Sequence, residues 1–392
     1  MHYSDNFGKI DEISSVMCYN LGNSMDLKLQ GQIASPGGKV FRIPFPATMF
    51  LKTETYCMKK RFLLLFLLLL LTGCGGTQTA PLSCTPPESQ RLVVYTSHKE
   101  EVYTPIIREF EERTGIWVEV VTGGTNELLQ QIEKEQDAPR ADVMFGGGVE
   151  SLESYRDCFT PYICREADRI REGFQSQCGY WTPFSALPVV LIYNTKLVRA
   201  ESVTSWVDLE KPAFRGNIAF ADPQISGSSY TALVTRILAG GGEDCLSGFR
   251  AALEGRQSDS SGAVVSSVAR GSALVGITLE ETALQHISAG EDIALVYPAD
   301  GTSCVPDGSA LVKGAPHEEN ARRFLDFTVS EDVQSLVGQR FCRRAVRGDI
   351  PADPALPALS TLNLVDYDVE WASQNRDRLL SDWAFLLGEV AP

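Results

Sequence analysis

Apolar runs alternate with segments of helical period over residues 91–148, and this alternation is the strongest constraint on the fold. Buried strands are predicted at residues 91–95, 117–121 and 141–145, with helices between them at residues 101–114 and 126–136. Gly115 ends the first helix and a run of three glycines follows the third strand. Strands that alternate with helices are typical of an open parallel α/β sheet.

A second unit with similar patterning begins near residue 184. Its predicted strands cover residues 189–193, 218–221, 273–278 and 292–297, and its helical segments cover residues 230–238, 318–327, 332–337 and 369–387. No internal repeat interrupts the pattern. The chain has 392 residues, which is enough for two cores, so we predict two α/β lobes rather than one large sheet.

A lipoprotein export signal is predicted at residues 58–73. Three cations follow Met58, ten apolar residues cover 62–71, and a Leu-Thr-Gly-Cys box ends at Cys74. The apolar run is shorter than the ~20 residues that a membrane span needs. We expect a lipid on Cys74, a tether over residues 74–90, and an upstream region at residues 1–57 that precedes the true start. The alternative is a short buried helix that ends in Cys.

Charge and cysteine content limit the partners and the compartment. The net charge of −15 argues against binding to nucleic acid. Export permits disulfides, and ten cysteines occur. We expect one pair among Cys158, Cys164 and Cys178 and a second pair between Cys304 and Cys342. The chain has no CxxC pair and only four His, which argues against a zinc site.

Six segments, in order, resemble a known family. They are residues 92–100 (LVVYTSHKE), 122–129 (TGGTNELL), 141–150 (ADVMFGGGVE), 185–195 (SALPVVLIYNT), 222–231 (DPQISGSSYT) and 276–280 (GITLE). They are similar to the iron(III)-type extracellular solute-binding proteins of ABC importers. The resemblance runs from about residue 91 to the C-terminus.

This resemblance implies a two-lobed α/β clamshell of the type II periplasmic-binding kind, with a hinge and a central ligand cleft. The first lobe would combine residues 91–183 and 294–345, and the second lobe residues 184–293 and 346–392. The protein would act outside the cytoplasm as a lipid-anchored monomer and deliver a small solute to an ABC permease. A sensor that reports to a membrane histidine kinase would need the same clamshell.

Iron-binding members of this family hold the metal through two adjacent tyrosines of the second lobe. The matching strand end here reads ITLE over residues 277–280, without tyrosine. One carboxylate and one His are poor ligands for ferric iron. We therefore favour another branch of the family, which binds phosphorylated solutes such as sugar phosphates, phosphoglycerate or phosphonates. Ferric iron remains the alternative.

Two hydroxyl-rich turns precede predicted helices, one in each lobe. Gly124 and Thr125 form the first turn, and Ser226, Ser228 and Ser229 form the second. Helix N-termini present free backbone N–H groups and positive potential, so two facing starts would hold an anion in the cleft. The alternative is ordinary N-capping, for which Ser and Thr are also favoured.

The remaining predicted ligand-binding residues follow other strands. Ser97 and His98 end the first strand, where open α/β sheets bind ligands. Glycines after the third strand would let backbone approach the ligand. Polar groups for the other end of the solute are predicted in the second lobe. The predicted glycines are Gly147 and Gly148, and the predicted polar groups of the second lobe are Asp259, Thr278 and Glu280.

An enzyme is not expected. The sequence contains no nucleophile elbow, HExxH, Walker loop or serine β-lactamase triplet. A nucleophile and base could in principle come from Ser228 and His98, but no third group is indicated. We predict no cofactor and no metal.

Overall fold

A computed structural model describes residues 86–387, which include the first predicted lobe and the second up to residue 387. The predicted lipoprotein signal, the lipid site and Cys84 lie outside the described residues. The strands are β1 Arg91–Thr96, β2 Trp117–Thr122, β3 Val143–Gly148, β4 Thr182–Asn194, β5 Ile218–Ala219, β6 Val275–Leu279, β7 Ile293–Val296, β8 Cys304–Leu311 and β9 Arg344–Ala345. The helices are α1 Glu100–Thr114, α2 Thr125–Lys134, α3 Val149–Ser154, α4 Gly227–Ala239, α5 Cys245–Leu253, α6 Ser261–Ala269, α7 Glu280–Ser288, α8 Glu318–Thr328, α9 Glu331–Phe341, α10 Val369–Gln374 and α11 Arg376–Leu387.

The long strand β4 connects two groups of strands. Its first half pairs antiparallel with β8, which in turn pairs with β3, and β1 and β2 follow in parallel. Its second half pairs antiparallel with β6 and β7, and β5 joins β6 in parallel. The sheet is therefore mixed as a whole, whereas the three strands of residues 91–148 are parallel to one another, as predicted. β4 and β8 run against their neighbours because the chain returns between the two groups of strands.

Two main hydrophobic cores define the two lobes. The first lobe is built around β1, β3, α1, α2 and α8, whose apolar side chains form one buried cluster. The second lobe is built around β4, β6, α4 and α5, and the C-terminal helix α11 packs into the same cluster. A smaller cluster covers the other face of the second sheet with α6. The predicted two-lobed α/β class is confirmed, whereas the exact lobe boundaries stay a prediction.

The C-terminal tail forms two helices instead of the single one predicted. α10 ends at Gln374, Asn375 is its C-cap, and α11 begins at Arg376. The side chain of Asp368 caps α10 by accepting a hydrogen bond from the N–H of Trp371 at 2.9 Å. The break turns Arg376 inward, and its side chain is buried.

The predicted disulfides are wrong, because all six cysteines of the described region are free. Cys158 lies in the first core, Cys164 packs in a separate small cluster, and Cys178 is exposed. Cys304 packs against that small cluster, whereas Cys342 follows the end of α9. Proximity in sequence therefore does not place these thiols in contact. Within residues 86–387, none of the helices has the length and apolar character needed to cross a membrane.

Candidate functional site

A cavity of about 570 Å³ lies between the two lobes. Its walls come from the carboxyl ends of β1 and β3, from the N-terminal ends of several helices, and from β8. Nine of the twelve residues predicted to bind the ligand line it: Ser97, His98, Gly124, Thr125, Gly147, Gly148, Ser226, Ser228 and Asp259. Residues that are far apart in the sequence therefore converge at one cleft.

Five helices of at least eight residues begin at this cavity. The starts of α1, α2, α4, α6 and α7 each contribute lining residues. The first turn of a helix has backbone N–H groups without intrahelical partners, and the helix dipole adds positive potential there. The cavity is thus suited to an anion even though the whole chain is acidic.

The starts of α2 and α4 meet directly across the cleft. A Cβ added to Gly227 would lie only 3.2 Å from Oγ1 of Thr125, so the two turns are in van der Waals contact. Ser226 does not cap α4 with its side chain. Its hydroxyl instead lies 3.0 Å from the hydroxyl of Ser228. Ser260, by contrast, does cap α6, accepting a hydrogen bond from the N–H of Ala263 at 3.2 Å. Ordinary capping therefore explains Ser260 but not Ser226.

The glycines after β3 are required by their backbone and by their neighbours. Gly146 and Gly147 have φ values of 111° and 95°, which side chains rarely adopt. A Cβ on Gly147 would lie 2.6 Å from Cγ2 of Thr125, and one on Gly146 would lie 2.8 Å from Oγ of Ser97. The glycines thus allow the end of β3 to pack closely against the turn at Ser97 and the turn at Thr125.

Buried charges form the floor of the cleft. Arg343 donates to Oδ2 of Asp307 at 2.6 Å and to Oγ of Ser185 at 3.1 Å. A second guanidinium nitrogen lies 3.4 Å from Oε1 of Glu281. Burial acts to lower the pKa of Arg343, but the two carboxylates raise it above its usual value. Burial raises the pKa of Asp307, and Arg343 acts in the opposite direction.

His98 stands beside this group of charges and is held neutral. Burial and the nearby positive charge of Arg343 lower the pKa of His98 well below its usual value of 6.5. Asp307 lies 3.8 Å from Nδ1 of His98 and would favour the cation. Burial dominates, because this carboxylate is already occupied by Arg343 and Ser185. Nε2 of His98 is buried and has no partner within the described residues, so it is available to a ligand.

Glu280 was predicted to bind the polar end of the solute, but it does not line the cavity and its carboxylate is already paired. Arg344 binds both of its carboxylate oxygens at 2.7 Å, and Tyr297 donates a further hydrogen bond. The next residue, Glu281, lines the cavity instead. Its Oε1 accepts from Thr282 at 2.8 Å, whereas its buried Oε2 has no partner within the described residues. Ser229 and Thr278 are buried close by and also do not line the cavity.

The sequence contained signals for some of the residues that were missed. Asp307 is the one charged residue of the strand Cys304–Leu311, and a buried charged side chain usually requires a partner. Arg343 follows Cys342, which ends α9 with a φ of 55°. Its nearness to the cleft had no sequence signal. Glu281 directly follows Glu280, and one residue along a helix changes the facing direction by about 100°, so the sequence did not show which of the two faces the cleft.

Among the residues that the structure describes, no tyrosine lines the cavity. Between residues 86 and 387, no three His, Cys, Asp or Glu side chains converge in a way that could hold a metal ion. The charged groups on the floor of the cleft are already paired with one another. A ligand in the cavity could donate hydrogen bonds to Glu281 and accept them at the helix starts. The free Nε2 of His98 could donate or accept, depending on the tautomer.

Two relatives in sequence and one solved structure are similar to this chain. The "Iron uptake protein A1" of Synechocystis sp. is 25% identical over 73% of this chain and 84% of its own length. A "Putative 2-aminoethylphosphonate-binding periplasmic protein" of Salmonella typhi is 22% identical over 62% of this chain and 74% of its own. The periplasmic binding protein AfuA of Actinobacillus pleuropneumoniae, solved with fructose-6-phosphate, is 26% identical with a TM-score of 0.72, covering 76% of this chain and 99% of that one.

The likeness to AfuA confirms the predicted two-lobed clamshell, which acts outside the cytoplasm. Proteins of this kind deliver solutes to ABC permeases and are not enzymes, so the prediction that the chain is not an enzyme is also confirmed. The profile of a family described as "Bacterial extracellular solute-binding protein" matches residues 92–340. The match covers more than half of the sequence, and the chain therefore belongs to this family of bacterial extracellular solute-binding proteins.

Proposed function

We propose that this protein binds a small organic solute that carries a phosphate or phosphonate group and delivers it to an ABC permease. The observation that carries the proposal is the meeting of two helix starts from opposite lobes, with Thr125 on one and Ser226 and Ser228 on the other. Phosphate oxygens would accept hydrogen bonds from the free N–H groups and hydroxyls. The rest of the solute would extend toward His98 and Glu281.

Glu281 sets the chemistry of the other end of the solute. Its unpartnered Oε2 is buried at the cavity wall, and a buried carboxylate oxygen without a donor is costly. A hydroxyl or an ammonium group on the solute would supply that donor. Inorganic phosphate would reach the helix starts but would leave Glu281 unpaired.

The ligands named for similar proteins include both organophosphates and iron. AfuA was solved with fructose-6-phosphate, the Salmonella relative is named for aminoethylphosphonate, and the Synechocystis relative is named for iron. The cavity lining without tyrosine favours the first two over ferric iron.

A thermal-shift panel tests the ligand class. The panel contains fructose 6-phosphate, phosphoglycerate, 2-aminoethylphosphonate, inorganic phosphate and ferric citrate. A ligand at 100 times its Kd should stabilise the folded protein by ~2.7 kcal/mol. We expect one of the phosphorylated organic compounds to do so. Stabilisation by ferric citrate alone would overturn the proposal.

Glu281→Gln provides the matched variant for the panel. Loss of the carboxylate should weaken a hydroxyl- or amine-bearing ligand by about tenfold, while the weaker binding of inorganic phosphate should stay unchanged. Glu280→Gln breaks the pair with Arg344 away from the cavity and should lower stability without changing ligand preference. Equal losses for all ligands with Glu281→Gln would contradict the role given to this residue.

A lipid on Cys74 would hold the protein beside its permease, and this part of the proposal is supported by sequence alone. Cys74→Ser should move the protein from the membrane fraction to the soluble fraction. Continued fractionation of this variant with the membrane would remove the anchor from the proposal but leave the ligand class untouched.

A further inference from the structure

Arg376 lies between the two lobes, outside the wall of the cavity. It is the first residue of α11, a helix that packs in the second core. Its guanidinium lies over the rings of Tyr155 and Tyr230, with 5.9 and 5.5 Å between the guanidinium carbon and each ring centroid. Tyr155 packs on the first core and Tyr230 belongs to the second, so the cation is sandwiched at the seam.

The guanidinium holds one residue of the first lobe by a hydrogen bond. Its terminal nitrogen donates to Oδ1 of Asn126 at 2.5 Å. Asn126 is the second residue of α2 and is almost fully buried. Because guanidinium can only donate, this bond fixes the orientation of the amide with its oxygen toward Arg376.

The other end of the same amide reaches the second lobe. Nδ2 of Asn126 donates to the backbone oxygen of Gln224 at 2.5 Å. Gln224 stands two residues before Ser226, the residue that precedes α4. The chain Arg376–Asn126–Gln224 therefore joins the start of α2 to the start of α4, and Arg376 determines which way the joining amide faces.

We propose that Arg376 is a positioning residue that keeps the binding cleft closed through Asn126. The two turns that would hold the anion belong to different lobes, so any bond that exists only when they meet favours the closed arrangement. The bond to Asn126 is of this kind and involves a charged donor. The inference depends on the cleft as the binding site and not on the chemical class of the ligand.

Small-angle X-ray scattering tests the inference without a known ligand. Arg376→Met keeps most of the side-chain volume but removes every donor, and Asn126→Ala breaks the same link from the other lobe. Scattering is measured without ligand and again with fructose 6-phosphate. In at least one of these two conditions, both variants should show a larger radius of gyration than the wild type. Identical scattering of the wild type and both variants under both conditions would overturn the proposal.

Arg378→Met is the matched control. Arg378 lies on the same helix but is half-exposed, and it pairs with Glu243 on the second lobe at 2.7 Å. Its loss should leave the scattering curve unchanged. Circular dichroism checks that each variant is folded, and Asn126→Ala keeps the test available if Arg376→Met does not fold.

Binding kinetics separate positioning from ligand contact. If Arg376 acts through closure, its loss should raise the dissociation rate of every bound ligand by a similar factor, roughly 10- to 100-fold. Combining Arg376→Met with Asn126→Ala should then add little to either change alone. Fully additive effects, or a change in preference between two ligands, would show that Arg376 does not act through Asn126.

Discussion

The two ends of the binding cleft use different physical means. At the helix starts around Thr125 and Ser228, the polar groups are backbone N–H groups and hydroxyls, which carry no net charge. At the floor, Arg343, Asp307 and Glu281 are ionisable side chains buried beside one another. Because the helix starts carry no net charge, an anion can leave them without leaving an unpaired charge on the protein. Loss of Arg343 would leave two buried carboxylates without a cation, so this residue supports the site, while the helix starts serve the anion and Glu281 the other end of the solute.

The largest effect should follow removal of the cation from the floor. Arg343→Met leaves Asp307 and Glu281 buried without a cation, and breaking such a pair costs about 3–5 kcal/mol. Chemical denaturation of the unliganded protein measures this loss. Arg340→Met, at an exposed position three residues earlier, should change stability by less than about 0.5 kcal/mol. If Arg343→Met lowers the unfolding free energy by no more than Arg340→Met does, water reaches the floor, and the two ends of the cleft do not differ in the way described.

Close packing beside the helix starts should give the next largest effect. Gly147→Ala strains a backbone with φ of 95° and places a methyl group against Thr125. Gly173→Ala is the matched control, since φ is 89° there but nothing lies within 4 Å of an added Cβ. Backbone strain should lower the free energy of unfolding of both variants, and the contact with Thr125 should lower that of Gly147→Ala by a further ~1–3 kcal/mol. Equal unfolding free energies of the two variants would show that the turn at Thr125 can move to accommodate the added methyl group.

Acidification should weaken the floor through His98. Its pKa in the folded protein is depressed, so the folded state resists a proton that the unfolded state accepts below about pH 6.5. Stability from this residue is therefore complete above that pH and is lost as the pH falls, by at most ~1.4 kcal/mol per pH unit. His98→Gln should flatten the fall between pH 6.5 and 5. Parallel curves for wild type and variant would place the titration elsewhere.

The sequence predicted one end of the cleft much better than the other. β1, α1 and β2 were found within one residue at each end, because local periodicity and Gly115 determine them. The helix-start residues Gly124, Thr125, Ser226 and Ser228 were found because turns at strand ends are local features. The floor was missed, since it joins residues 281, 307 and 343 through tertiary contacts. Glu280 and Glu281 differ only in the direction that each faces on α7, which the core decides.

The smallest predicted effect distinguishes a binding hydroxyl from a capping one. Ser228 and Ser260 both line the cavity, but only Ser260 caps a helix with its side chain. Ser260→Ala should therefore lower the unfolding free energy by about 1 kcal/mol. Ser228→Ala should leave stability nearly unchanged and weaken an organophosphate by roughly fivefold, the value of one neutral hydrogen bond. Denaturation and calorimetric titration of both variants give the two quantities. If Ser228→Ala lowers stability as Ser260→Ala does while binding is unchanged, its hydroxyl stabilises the start of α4, and the anion would have to be held by backbone N–H groups and Thr125.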